Sequence, residues 1–295
     1  MITTFDEYQR IAQETDQKPD SSNDALVMSL LGLVGEAGSL LAEYKKRMRD
    51  GAAHQGFRSD VGEELGDLLW YIANIATKCG LSLGQLAQQN IEKTRARWLP
   101  PNQPAPPFDE ERRENEQLPR QFEYTFEYRD VKGKQKVVMV DSEGNDVGNP
   151  LTDNAYVDDG YRFHDVIHLA HAAVLGWSPV LRHLLKRKRK TTDKTDEVED
   201  GGRAQVIEEA VAAATYEYAA RHEFLNVGRV DWNLLRTIKR LTSHLEVKAR
   251  TEAEWECSIL IAFDVWRRVR ENDGGSIRGN LITRTLEFIP PIRHR

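Results

Sequence analysis

Four acidic residues in the first third of the chain interrupt apolar runs in which a carboxylate has no ready partner. Glu36 and Glu43 stand seven residues apart in LLGLVGEAGSLLAEYKKRMRDG, two helical turns, with Ser39 between them on the same face. Glu64 and Asp67 are three apart in VGEELGDLLWYIANIA and share a face of a second helix. Their neighbours are Leu30, Leu33, Leu40, Leu65, Leu68 and Trp70. A lone carboxylate is costly to bury among such side chains, and a shared divalent cation removes that cost. Oxygen donors without His or Cys suit Mg²⁺, or Mn²⁺, rather than zinc. Glu36, Glu43, Glu64 and Asp67 are therefore the candidate metal ligands. Glu63, about a quarter-turn from Glu64, and Glu43 are the two candidates for orienting water, and the sequence does not choose between them.

The elements that must position these acids are helices. Phe5, Tyr8, Ile11 and Ala12 give a helical period after Thr4, and Asp16 to Asn23 reads as a loop. Ala25 to Arg49 forms the first acid-bearing helix, stopped at Asp50-Gly51. Val61 to Cys79 forms the second, broken by Gly80, and Ser82 opens a further helix through Arg97.

The segments GEAGSLLAEYKK, EELGDLLWYIANIA, LSLGQLAQQN and NIEKTRARW resemble the MazG-like all-α nucleoside triphosphate pyrophosphohydrolases. The resemblance covers roughly the first third of the chain, 1–99, and implies an all-α bundle. It implies Mg²⁺-dependent hydrolysis of (d)NTP to monophosphate and pyrophosphate, with a nucleoside triphosphate as the substrate. Glu36, Glu64 and Asp67 fall on the family's metal-ligand positions, whereas Ser39 stands where the family carries Glu. That departure leaves the metal count open, with Glu43 one turn on as a substitute. An Asn and a Lys of the family contact the nucleotide, which points to Asn90 and Lys93; Arg97 lies on the same helical face. Lys46 and Arg49, near the end of the first acid helix, complement its dipole and are candidate phosphate contacts. Trp70 and Trp98 are core residues or base-stacking residues. The family is oligomeric and such helix pairs need a neighbour to complete the bundle, so a dimer is expected.

Composition narrows the alternatives. A formal charge of -6 and a pI near 5.8 argue against a protein built to grip nucleic acid. Two cysteines, Cys79 and Cys257, have no ligand-like spacing and fit a reducing cytosol. The longest apolar stretch, Ala25 to Val34, is too short to cross a bilayer, and the N-terminus lacks the pattern of a signal peptide. A cytoplasmic protein without membrane contact is the expectation.

Beyond the first domain, a proline- and charge-rich linker is expected at 100–118. A small antiparallel β element follows at 119–157, with Phe122, Tyr124, Phe126 and Tyr128 on one side, Val137 to Val140 as a second strand and a turn at Asp141 to Asn145. A second helical domain of unassigned role fills 158–295, with helices at Phe163 to Val174, Val206 to Ala220, Trp232 to Val247 and Glu252 to Glu271. The fold class is mainly α. IEEAVAAATYEYA, from Ile207, echoes the second acid helix with Ala212 in the place of Asp67, and FHDVIHLAHAAVLG precedes it much as LLGLVGEAGSLLAE precedes the first, as in a degenerate repeat; chance similarity of two amphipathic helices is the alternative.

Two further functional readings stand beside the hydrolase. Loss of the Glu at Ser39 would leave a non-catalytic nucleotide sensor. His164, His168 and His171 recur at helical spacing beside Asp165, and Glu208 or Glu209 can complete a transition-metal set for a metal-dependent phosphohydrolase. A satisfied polar core cluster is the ordinary alternative there. The KRKRK run, Lys186 to Lys190, reads as a solvated loop balanced by Asp196 to Asp200.

Overall fold

The computed structural model describes residues 4–99, 105–222 and 227–290. The chain divides into two compact units, 1–95 and 96–295.

The first unit is built from α1 (Phe5–Ala12), α2 (Asn23–Asp50), α3 (Phe57–Lys78) and most of α4 (Leu83–Trp98). Side-chain caps set three of the starts: Thr4 accepts from the Glu7 N–H, Ser22 from Ala25 and Ser82 from Gln85. Gly51 ends α2 at a φ of 58°, a left-handed angle a glycine adopts without strain. The α2 and α3 backbones pack closely because Gly32 has no side chain. A Cβ there would lie 2.2 Å from the Tyr71 ring.

This unit buries little. Among its described residues the buried apolar side chains are Ala12, Ala25, Ala73, Ala76 and Leu83, a set poor in large groups. Along α2 the larger ones face outward instead. Val27, Val34, Leu41 and Met48, spaced seven apart, are all exposed, Met48 by 87%. By length and composition α2 is also apolar enough to cross a membrane, which the shorter run Ala25 to Val34 does not reveal.

The second unit wraps a mixed core around one sheet. Its strands are β1 (Gln121–Val131), β2 (Lys134–Val140), β3 (Asp146–Leu151), β4 (Gly275–Asn280) and β5 (Thr285–Ile289), ordered β3-β2-β1-β4-β5 with every neighbour antiparallel. The expected β element is thus not an island, since β1 pairs with a strand from the far end of the chain. Phe122, Tyr124 and Phe126 are buried on one face as their alternation requires, while Tyr128 is half-exposed. That face packs on α5 (Asp165–Ala170) and the neighbouring core residues Val265, Trp266 and Val269.

The remaining helices are α6 (Pro179–Leu184), α7 (Asp193–Val198), α8 (Gly202–Arg221), α9 (Trp232–Leu241) and α10 (Glu252–Glu271). Thr251 and Glu254 form a capping box that starts α10. Trp177, Val211, Leu235, Ile238, Trp255 and Ile259 make a second apolar cluster among them. The helix expected to reach Val247 stops at Leu241, because Leu245 and Val247 turn inward to that cluster. The helix from Phe163 opens after Ala170 into a single π turn, His171–Leu175. A six-residue helix and a π turn do not repeat the 28-residue α2, so the sequence echo is not a structural repeat.

The expected linker at 100–118 is only partly tested, because Pro100 to Pro104 lie outside the described residues. From Ala105 onward it belongs to the second unit. Asp109 is fully buried, where its carboxylate accepts from the Leu118 N–H at 2.7 Å and pairs with Arg120 and Arg182. In the KRKRK run Lys186 and Lys190 are exposed, as a solvated loop requires, and Asp200 is a balancing acid as expected. Arg189, however, is buried between Asp200 and Glu246, each at 2.7 Å.

Candidate functional site

In the first unit α2 and α3 bring three carboxylates together. Glu36, from α2, and Glu64 and Asp67, from α3, each offer an oxygen within 4.8 Å of the other two. Glu36 and Glu64 are half-buried and Asp67 is exposed, so the cluster opens to solvent. Partial burial and the neighbouring charges of Glu36 and Asp67 raise the Glu64 carboxyl above its ordinary range. Three oxygens crowded in this way gain most from a hard divalent cation.

Glu43 joins a neighbouring cluster instead. It is buried, with His54 Nε2 at 2.9 Å and Lys46 Nζ as its second partner, and Asp60 lies beyond His54. The hydrogen bond from Lys46 leads the lowering of its carboxyl against burial, with His54 assisting. As a direct metal ligand Glu43 is therefore held apart from the triad by Lys46 and His54. His54 carried no motif in the sequence; only its return to α2 from the loop at Gly51–Ala53 makes it a partner.

The other expected site residues are dispersed. Glu63 is exposed beside Glu64. Lys46 is tied to Glu43, and Arg49 to its neighbour Asp50 at 2.6 Å. Asn90 and Lys93 are exposed on α4 and bond none of the four acids. Arg97 differs from expectation. It is buried, its guanidinium bonding Glu256 at 2.9 Å and the Val230 carbonyl at 3.0 Å, and so serves the second unit's structure rather than a phosphate. Ser39 is half-buried, one turn beyond Glu36. Trp70 bonds Thr15 and belongs to the small core, and Trp98 lies under the guanidinium groups of Arg97 and Arg229.

In the second unit a different cluster forms around Glu208, which is buried on α8. Its Oε1 accepts from His168 Nδ1 at 2.9 Å and from Ser178 at 2.7 Å, with His171 Nδ1 at 3.4 Å, and its Oε2 accepts from the Val180 N–H at 2.8 Å. Burial alone would raise this carboxyl, but His168 outweighs it and brings it to about 2. Burial acts downward on His168, and Glu208 reverses that to about 10. His171, deeper against Trp177 and Trp255, is pulled down by burial. Glu208 is a hub that fixes α5, α6 and α8, with both of its oxygens already accepting from donors.

Comparison with known proteins bears chiefly on this second unit. A family model described as the MazG C-terminal domain matches residues 103–292. The Gene 37 protein of Mycobacterium phage L5 is 36% identical over 98 residues, 31% of this chain and 86% of that protein. No solved structure matches. The family match thus falls on the part of the chain where the sequence offered only the histidine and glutamate cluster as a candidate site, and leaves the acid-bearing helices α2 and α3 outside it.

Proposed function

Because the chain belongs to the MazG C-terminal domain family, we propose that it is a Mg²⁺-dependent nucleoside triphosphate pyrophosphohydrolase whose chemistry is carried by its first unit. The observation behind this reading is the convergence of Glu36, Glu64 and Asp67. The donors fit the ion, being carboxylates only, solvent-facing and crowded enough to raise Glu64. These three residues would hold it, with Mn²⁺ as a substitute. When bound, the cation would neutralise the acids and polarise the triphosphate oxygens.

Water adds to the α-phosphorus, the bond to the α–β bridging oxygen breaks, and monophosphate and pyrophosphate leave. Glu63, free of the triad, takes the proton of the attacking water. Lys93, exposed on α4, and Lys46, held by Glu43 near the acids, offset the triphosphate charge, and the amide of Asn90, also exposed on α4, donates hydrogen bonds to the nucleotide. A panel of (d)NTPs assayed for monophosphate and pyrophosphate with and without Mg²⁺ tests the reaction. Inorganic phosphate as the sole product would refute it.

The same reading makes the chain a homodimer through α2. Val27, Val34, Leu41 and Met48 repeat at seven-residue spacing, with Leu31 and Tyr44 beside them, all exposed on a unit with almost no large core side chains. That is the seam of a helix packing against a helix. A second copy, rather than lipid, suits it because Glu36 on the same helix belongs to an acid cluster that opens to solvent. Each large apolar group is worth about 1.5–3 kcal/mol when covered. The double variant Val34→Glu, Leu41→Glu should therefore weaken self-association by roughly a hundredfold or more. Sedimentation equilibrium measures this, and a monomeric wild type would remove the dimer from the proposal.

A further inference from the structure

Beside the Glu208 hub, a second and more open group of donors forms from His164, His168 and Glu209, each offering one atom within 4.8 Å of the others. The tautomers of its two imidazoles follow from their partners. His164 Nδ1 lies 2.9 Å from the Tyr161 carbonyl, which can only accept, so this nitrogen carries a proton. His168 Nδ1 donates to Glu208 in the same way. Each ring is thus left with Nε2 for an outside partner. His168 Nε2 is buried and makes no hydrogen bond among the described residues, and Glu209 Oε2 lies 3.5 Å from it.

That separation is informative. Two ligand atoms about 2.1 Å from a tetrahedral zinc-like ion are roughly 3.4 Å apart. The same spacing suits the ion pair that the two side chains make when no metal is bound. The supporting contacts match what a metal-bound histidine requires, namely a carboxylate or carbonyl on the other ring nitrogen to hold the tautomer and the orientation. Tyr161 adds a stacked ring over His164, 4.4 Å between centroids and 7° from parallel. Asp165 Oδ1, 3.6 Å from His164 Nε2, borders the same position. Glu209 is 45% exposed, so the group faces solvent on one side.

We propose that His164 Nε2, His168 Nε2 and the Glu209 carboxylate form a divalent transition-metal site of the zinc class in the second unit, with a fourth position open to solvent or Asp165. Two nitrogens and one oxygen select against Mg²⁺ and Ca²⁺. A cation entering here displaces the Nε2 proton of His168. Glu208 orients His168 through Nδ1, and His171, fully buried beside Trp255, is not one of the three donors.

The site is independent of the acids of the first unit and can be tested apart from them. Co²⁺ is titrated into the full-length chain with Mg²⁺ in excess, following the visible d–d absorption and metal content. Wild type and Glu64→Gln should each take up one equivalent with the intense bands of a low-coordinate site. His164→Ala and Glu209→Gln should each lose tenfold or more in Co²⁺ affinity. Glu209 is at the surface and Gln preserves its shape, so that variant stays readable if His164→Ala unfolds. Undiminished affinity in Glu209→Gln, absence of the bands in wild type, or their loss in Glu64→Gln would each overturn the site.

Discussion

Replacing Glu64 by Gln is expected to remove pyrophosphate release while leaving the fold at least as stable as before. The two effects have one cause. Glu64 is the carboxyl that partial burial, and after it the charges of Glu36 and Asp67, push upward, so neutralising it relieves both costs in the metal-free chain. The same charge is what a divalent cation would need, and its loss removes several kcal/mol of charge stabilisation from the reaction. That corresponds to roughly 10²–10³-fold or more in kcat/KM. Mg²⁺ should raise the melting temperature of wild type by mass action and leave that of Glu64→Gln unmoved. Equal activity in the two proteins would show that these acids are surface charges and no more. Wild type that binds nucleotide with Mg²⁺ but releases no pyrophosphate would favour the sensor reading. Ser39→Glu, which restores a carboxylate one turn from Glu36, would then separate a missing ligand from a missing active site.

The acid triad was legible because its signal is local. Glu64 and Asp67 share one helix face by spacing alone, and Glu36 interrupts an apolar run at a helical position. What spacing could not show is which acid a distant cation claims, and His54 takes Glu43 from across a turn. Arg97 illustrates the same limit. Its periodicity with Asn90 and Lys93 is real, yet Glu256, 159 residues away, decides its role. The sheet was half-visible for a similar reason. Alternation marks β1 and β2, but nothing in Gly275–Asn280 says that it will lie beside Gln121. The histidines were found by spacing on one helix. Only the partners of their Nδ1 atoms divide them into His164 and His168, which look outward, and His171, which looks into the core.

The segment that composition marks as a linker should prove to be among the most stabilising parts of the second unit. Asp109 is fully buried and holds three donors: the Leu118 N–H, the Arg120 guanidinium at 2.6 Å and the Arg182 guanidinium. Arg182 in turn bonds the Glu116 carbonyl at 2.7 Å and approaches Asp200, so a buried chain of charges ties 109–120 to α6 and to the turn between α7 and α8. Burial raises the Asp109 carboxyl, but Arg182 outweighs it and holds the group below its usual range. A carboxyl depressed in the folded state stabilises above its unfolded value, near 3.9, and the contribution fades as pH falls through the folded value. Asp109→Ala leaves Arg182 buried without its main counter-charge and should cost about 3–5 kcal/mol. For a unit of this size that lowers the melting temperature by roughly 6–20 °C. Removing both charges, as Asp109→Ala with Arg182→Met, should cost less than the sum of the single changes, since no orphaned ion remains. The single variant should also lose part of the acid-dependent instability of wild type below about pH 4. Urea unfolding at neutral and acid pH measures all three quantities. If Asp109→Ala stays within about 1 kcal/mol of wild type, the range of an ordinary surface change, then 105–118 is a linker after all.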